Sequence, residues 1–157
     1  MAGLDVHIVD LPPMRVATTR ALGNSPEDEA WEKLRAWAEP RGLLDDLQRH
    51  PVYGYNNPPP VPGRPDYGYE FWIKVDPDAE PEGDVELKDF GGGRYAVTSC
   101  RLHGDPEGSV PEVWQKLLGW VESSGHTWRH THELEGLLNP EAPHEQILLD
   151  LYLPIEE

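Results

Sequence analysis

Two acid–aromatic pairs stand at matching places in the chain. Glu70 and Trp72 lie in the stretch Tyr67–Val75, and Asp150 and Tyr152 lie in Ile147–Ile155. If each stretch is a β-strand, side chains alternate between faces, so an acid and an aromatic two residues apart share one face. The opposite faces are wholly apolar: Tyr69, Phe71, Ile73 and Val75 in the first, Ile147, Leu149, Leu151, Leu153 and Ile155 in the second. A carboxylate beside an aromatic ring suits a flat, apolar or cationic ligand. Ring faces supply area and about 0.5–2 kcal/mol each of cation–π attraction, and a buried carboxylate selects for positive charge.

Other reactive side chains are less promising. His126, His130 and His132 are close in sequence, but zinc wants three or four well-placed ligands, and alternation turns Glu133 away from His130 and His132. No metal and no other cofactor is expected. Cys100 sits in an alternating segment with only Arg101 as a basic neighbour, which predicts a buried, inert thiol. Gly91-Gly92-Gly93 enters a strand, not a helix, so it is no phosphate loop. No nucleophile, histidine and acid stand in an order that suggests acyl transfer.

The elements that must position the pairs are written twice. Arg15-Val16-Ala17-Thr18-Thr19 returns as Arg94-Tyr95-Ala96-Val97-Thr98, and Trp31 to Trp37 returns as Trp114 to Trp120 with Trp-x-Lys-Leu-x-x-Trp in common. Asn57-Pro58 returns as Asn139-Pro140, and Tyr67–Val75 lines up with Ile147–Ile155. Four matches in one order, all offset by about 80 residues, indicate a duplication. The repeats run over about residues 5–78 and 84–156 of one domain, 1–157. Each reads strand, helix, strand, strand. The first strands are Val6–Val9 followed by Arg15–Leu22, and Val85–Leu87 followed by Arg94–Leu102. The three glycines suggest a hairpin in the second pair. Ser25 and Pro26 start one helix with core face Trp31, Leu34, Trp37 and Ala38. A Ser109-Val110-Pro111-Glu112 capping box starts the other, with core face Trp114, Leu117, Leu118 and Val121. The expected fold is α+β: duplicated β-α-β-β modules merged into an antiparallel sheet with two main helices on one side. A central ligand cleft is expected on its other face, at the seam of the halves.

Composition bounds the partners. Thirteen Lys and Arg against 29 Asp and Glu leave a formal charge of −16, which disfavours nucleic acid and anionic membranes. No apolar run approaches the roughly 20 residues of a membrane span. No leader segment opens the chain and it has a single cysteine, so a soluble, reducing, cytoplasmic setting is expected. The 17 prolines cluster in connections and stiffen loops.

The repeated halves resemble the GyrI-like small-molecule-binding domain, found alone and as the effector domain of AraC-type and MerR-type drug-sensing regulators. The resemblance spans about residues 5–156. It rests on Leu11-Pro12-Pro13-Met14-Arg15-Val16-Ala17, Tyr53-Gly54-Tyr55-Asn56-Asn57-Pro58 and Tyr67-Gly68-Tyr69-Glu70-Phe71-Trp72-Ile73. Gly92-Gly93-Arg94-Tyr95-Ala96-Val97, Leu134-Glu135 and Asp150-Leu151-Tyr152-Leu153-Pro154-Ile155 follow in the family's order. The resemblance implies a duplicated module of SHS2-like form holding a small aromatic or cationic molecule. It implies a ligand role for Glu135, in a stretch where Leu137 replaces an aromatic common in the family. With it the expected ligand residues are Tyr55, Glu70, Trp72, Glu135, Asp150 and Tyr152. Some stand-alone relatives resemble hydrolases that open cyclopropane rings in DNA-alkylating compounds. Such chemistry needs a carboxylate, in a dry pocket with a raised pKa, to position or activate water, and aromatics to grip the flat substrate; on that reading Glu70 and Glu135 would be catalytic. A third reading follows from the family's name: a protein partner, DNA gyrase, inhibited by contact, with the acidic surface mimicking nucleic acid. Too few residues lie outside the repeats for a helix-turn-helix, so the chain is not expected to be a DNA-binding regulator by itself.

Overall fold

Alternating segments become strands, and the two Trp-x-Lys-Leu-x-x-Trp segments become helices. A computed structural model describes residues 5–57, 61–83, 85–101, 110–129, 131, 133–143 and 146–156. In chain order the elements are β1 (His7–Leu11), β2 (Met14–Gly23), α1 (Pro26–Ala38), β3 (Val52–Asn56), β4 (Tyr67–Val75), β5 (Glu86–Phe90), β6 (Gly93–Arg101), α2 (Val110–Ser123), β7 (Leu134–Leu137) and β8 (Leu148–Ile155). Two short 3-10 turns, Glu39–Arg41 and Leu43–Asp45, follow α1. The fold is α+β with antiparallel pairing. No helix among the described residues is long and apolar enough to cross a membrane.

The chain forms two compact units, Met14–Phe90 and Met1–Pro13 with Gly91–Glu157. In the first, antiparallel strands run in the order β3-β4-β2-β5; in the second, β1-β6-β8-β7. These units are not the two sequence repeats. β1 pairs with β6, His7 opposite Val97, instead of folding back on β2. Likewise β5 pairs with β2, Glu86 opposite Thr18, so no hairpin forms at Gly91–Gly93. Each repeat thus lends its first strand to the other repeat's sheet. The physical reason lies in the links. A two-residue hairpin turn of the favoured type needs positive φ, and Pro12-Pro13 holds φ near −65°. In the second link Gly92 does take positive φ, but a Cβ there would overlap the Leu11 carbonyl oxygen and crowd Pro12. Gly92 serves the close passage of two chain segments.

Each helix covers one sheet face with the apolar residues of its repeat. In α1, Ala30, Leu34, Trp37 and Ala38 are buried, and Trp31, half-buried, meets Phe71 edge-on at 5.4 Å. Ser25 occupies the N-cap position without a side-chain cap bond, and Pro26 stands in the first turn. Thr19 ties β2 to the helix by donating to the Ala30 carbonyl at 2.7 Å. In α2, Val113, Leu117 and Val121 are fully buried against Leu149, Leu151, Leu153 and Ile155, with Trp114 and Leu118 packed at the margin. The capping-box serine, Ser109, lies outside the described residues, as do His130 and His132. His126 stacks on Trp120 at 5.8 Å, and Cys100 is buried.

Candidate functional site

The face of the Met14–Phe90 sheet away from α1 is built by register. Glu70 lies opposite Arg20 of β2 and Tyr55 of β3, and Trp72 lies opposite Thr18 and Tyr53. Directly paired residues share a face, so these six side chains are neighbours. On the helix side Gly54 is required, because a Cβ there would overlap the Tyr69 ring.

Glu70 is 2 % exposed, and a buried carboxylate must be paired and hydrogen-bonded. Lys88 Nζ donates to Oε2 at 2.7 Å, Trp72 Nε1 donates to the same oxygen at 2.6 Å, and Asn57 Nδ2 donates to Oε1 at 3.1 Å. The Tyr55 hydroxyl is also hydrogen-bonded to Glu70, and burial followed by the Glu70 charge pushes its pKa up. Burial opposes ionisation of Glu70 more than any single contact. The hydrogen bonds from Lys88, Trp72 and Asn57, with the Lys88 charge, together outweigh it and hold the carboxyl below its ordinary value. Glu70 is therefore an anion at neutral pH.

A cavity of about 460 Å³ opens beside this carboxylate. Its walls include Thr18 and Asn57, and its charged lining residues are Arg20, Lys33, Lys88, Glu29, Glu70 and Glu86. It lies where β2 runs on past the end of β5, which pairs only with Met14–Thr18. Lys33 of α1 closes part of that open edge by donating to the Arg20 carbonyl at 3.2 Å. Among the described lining residues there is no aromatic ring. Trp72 is 2 % exposed and stands behind Glu70, its ring edge-on to Tyr55 at 5.3 Å and tilted against Phe90 at 5.2 Å. Trp72 orients the carboxylate and presents no open face.

The matching pair of the other unit is simpler. Asp150 lies opposite Ser99 and Gly136, and it accepts one bond from the Ser99 hydroxyl at 2.6 Å. Tyr152 packs edge-on against Tyr95 at 5.9 Å. Where Glu70 has Arg20 and Tyr55 as neighbours, Asp150 has a serine and a glycine. Glu135 is opposite Leu151, so it shares the face that meets α2, and Asp150 and Tyr152 point to the other. The structure brings Tyr55, Glu70 and Trp72 together; it brings Asp150 near Tyr152 but not Glu135.

Residues 4–156 match the GyrI-like small molecule binding domain. The chain belongs to that family. Solved structures similar to this GyrI-like domain include a hydrolase from Listeria innocua, 13 % identical with a TM-score of 0.69, over 99 % of this chain and 94 % of that one. The C-terminal domain of EcmrR is 14 % identical with a TM-score of 0.66, over 98 % of each chain. SAV2435 bound to tetraphenylphosphonium is 11 % identical with a TM-score of 0.50, over 98 % of this chain and 94 % of that one. At such identities the likeness is one of fold.

Lys88, Asn57, Arg20 and Lys33 line the cavity although none of them was expected there from the sequence. Asn57 carried a signal as half of the Asn-Pro repeat. Its counterpart Asn139 instead closes a loop, donating to the Gln146 carbonyl and accepting from the Leu148 amide. Lys88 carried none, because the repeat boundary assigned its strand to the other half.

Proposed function

We propose that this GyrI-like domain binds a planar, drug-like aromatic molecule, apolar or cationic, in the cavity beside Glu70. The observation that carries this reading is a 2 %-exposed, ionised carboxylate at the wall of an open cavity of about 460 Å³. Tyr55 and Trp72 hold that carboxylate in place, and Asp150 with Tyr152 is a lesser counterpart in the other unit. SAV2435, of similar fold, has been seen with a lipophilic cation, which favours an aromatic ligand class here too. Glu70, not Glu135 or Asp150, is the carboxylate we assign to the ligand. The −16 charge makes nucleic acid an unfavourable partner.

Binding is favoured over turnover by the state of Glu70. A carboxylate held below its ordinary pKa, with its lone pairs engaged by four donors, is a poor base toward water. Two measurements test the reading. In a thermal-shift panel of flat aromatic compounds, at least one raises the melting temperature of the parent and of Glu135→Gln by several degrees, and Glu70→Gln responds weakly. A panel in which Glu135→Gln loses the response and Glu70→Gln keeps it would sink the assignment. Incubated with a cyclopropane-bearing indole and followed by chromatography, the protein is expected to leave the ring closed. Ring-opened product formed faster than in buffer would make it a hydrolase instead.

A further inference from the structure

We propose that Lys88 is a resident counter-ion that sets the ligand's charge class, so that the Glu70 cavity takes neutral aromatic molecules bearing an acceptor oxygen in preference to cations. This rests on the reading of the cavity as a ligand site and deepens it. An ionised carboxylate has about four acceptor positions, and Glu70 is engaged by four donors: Asn57, Trp72, Lys88 and Tyr55. A ligand gains a bond from Glu70 only by displacing one of them. Trp72 is fixed in the core, 2 % exposed, whereas the Lys88 side chain is 41 % exposed on a long flexible stem. Lys88 is thus the replaceable donor, and a cationic ligand must compete with an ammonium already seated at 2.7 Å.

The rest of the cavity does not restore a preference for cations. Arg20 and Lys33 stand against Glu29 and Glu86 around it, so the outer charges cancel, and exposed groups are weakened by solvent screening. At the Glu70 wall the ion pair cancels as well. What remains directed at a ligand is polarity. The Lys88 ammonium has three N–H donors and spends one on Glu70. The others suit a carbonyl or phenolic oxygen on a ring system. Strand exchange is the source of this device: Lys88 belongs to β5, which reaches β2 only because no hairpin forms between β5 and β6.

The test uses the full chain and two three-ring probes of matched size, neutral acridone and cationic N-methylacridinium, titrated by fluorescence. The parent binds acridone more tightly. Lys88→Met uncovers the Glu70 charge and raises N-methylacridinium affinity relative to acridone by about tenfold or more; Lys88→Arg keeps the parent order. Because Lys88→Met leaves a buried carboxylate short of its partner, Glu70→Gln gives an independent reading. With only the ammonium left, the cation loses further ground to acridone. A parent that prefers the cation, or a ratio unmoved in Lys88→Met and Glu70→Gln, overturns the role of Lys88 while leaving the ligand site standing. If neither probe nor any flat aromatic of the thermal-shift panel binds, the reading of the cavity as a ligand site fails, and the charge selection with it.

Discussion

Glu70 concentrates most of the physical interest of the chain. Its carboxylate is buried, which is costly, and it persists because Lys88, Trp72 and Asn57 donate to it. The folded-state pKa is depressed, so its stabilising contribution is fully present above the ordinary carboxylate range. That contribution is lost as pH falls through the depressed folded value. Glu70→Gln keeps the shape but removes the charge, and its amide nitrogen cannot accept from both Trp72 and Lys88. At neutral pH it is expected to cost about 1–3 kcal/mol, the range for hydrogen bonds to charged groups and orphaned buried donors. Urea unfolding of parent and variant across the acid range checks this. The gap is widest at neutral pH and narrows on acidification; a gap independent of pH would mean that the charge contributes nothing.

At the scale of elements, the exchange of β1 and β5 between repeats is the governing feature. It depends on two short links, Pro12-Pro13 and Gly91-Gly92, that pass close to one another. Gly92 combines a φ of +79° with near-contact to the Leu11 carbonyl, so Gly92→Ala meets both backbone strain and overlap. The expected loss is about 1–3 kcal/mol, read as a lower denaturation midpoint. Gly91→Ala, where a Cβ meets open space, is the control and changes little. Equal effects at both positions would remove the crossing as the cause. Helices α1 and α2 form where their apolar spacing places them, and they bury Leu34, Trp37, Ala38, Leu117 and Val121 of the expected faces, but each stripe is turned so that Ala30 and Val113 are buried and Leu118 stands at the margin. The half-buried tryptophans at the margins, Trp31 and Trp114, extend that stripe.

Over the whole molecule, 29 acids against 13 bases create a self-repulsion that the folded state must bear. Raising salt from low ionic strength to about 0.15 M shortens the screening length to about 8 Å. The melting temperature is therefore expected to rise over that interval, in parent and in Lys88→Arg alike. A fall with salt would mean that surface ion pairs such as Arg41–Glu82 and Arg94–Asp10 outweigh the repulsion. The charge at the proposed ligand site is a single pair, buried Glu70 with part-exposed Lys88.

The α+β class, the two helical segments and the strand faces that set Glu70 beside Trp72 were legible from the residue pattern alone. Those are local properties: periodicity is written in the order of residues. Three further features depend on contacts between distant segments. Trp72 is a buried support and not an open stacking face, because Tyr55 and Phe90 close over it. Glu135 shares a sheet face with Leu151 and not with Asp150, since register depends on which strands pair. Lys88 reaches Glu70 because β5 pairs across the repeat boundary. Two glycines in a link read locally as a hairpin turn. Whether the chain turns back or crosses over depends on what passes beside them, and no residue of the link records that.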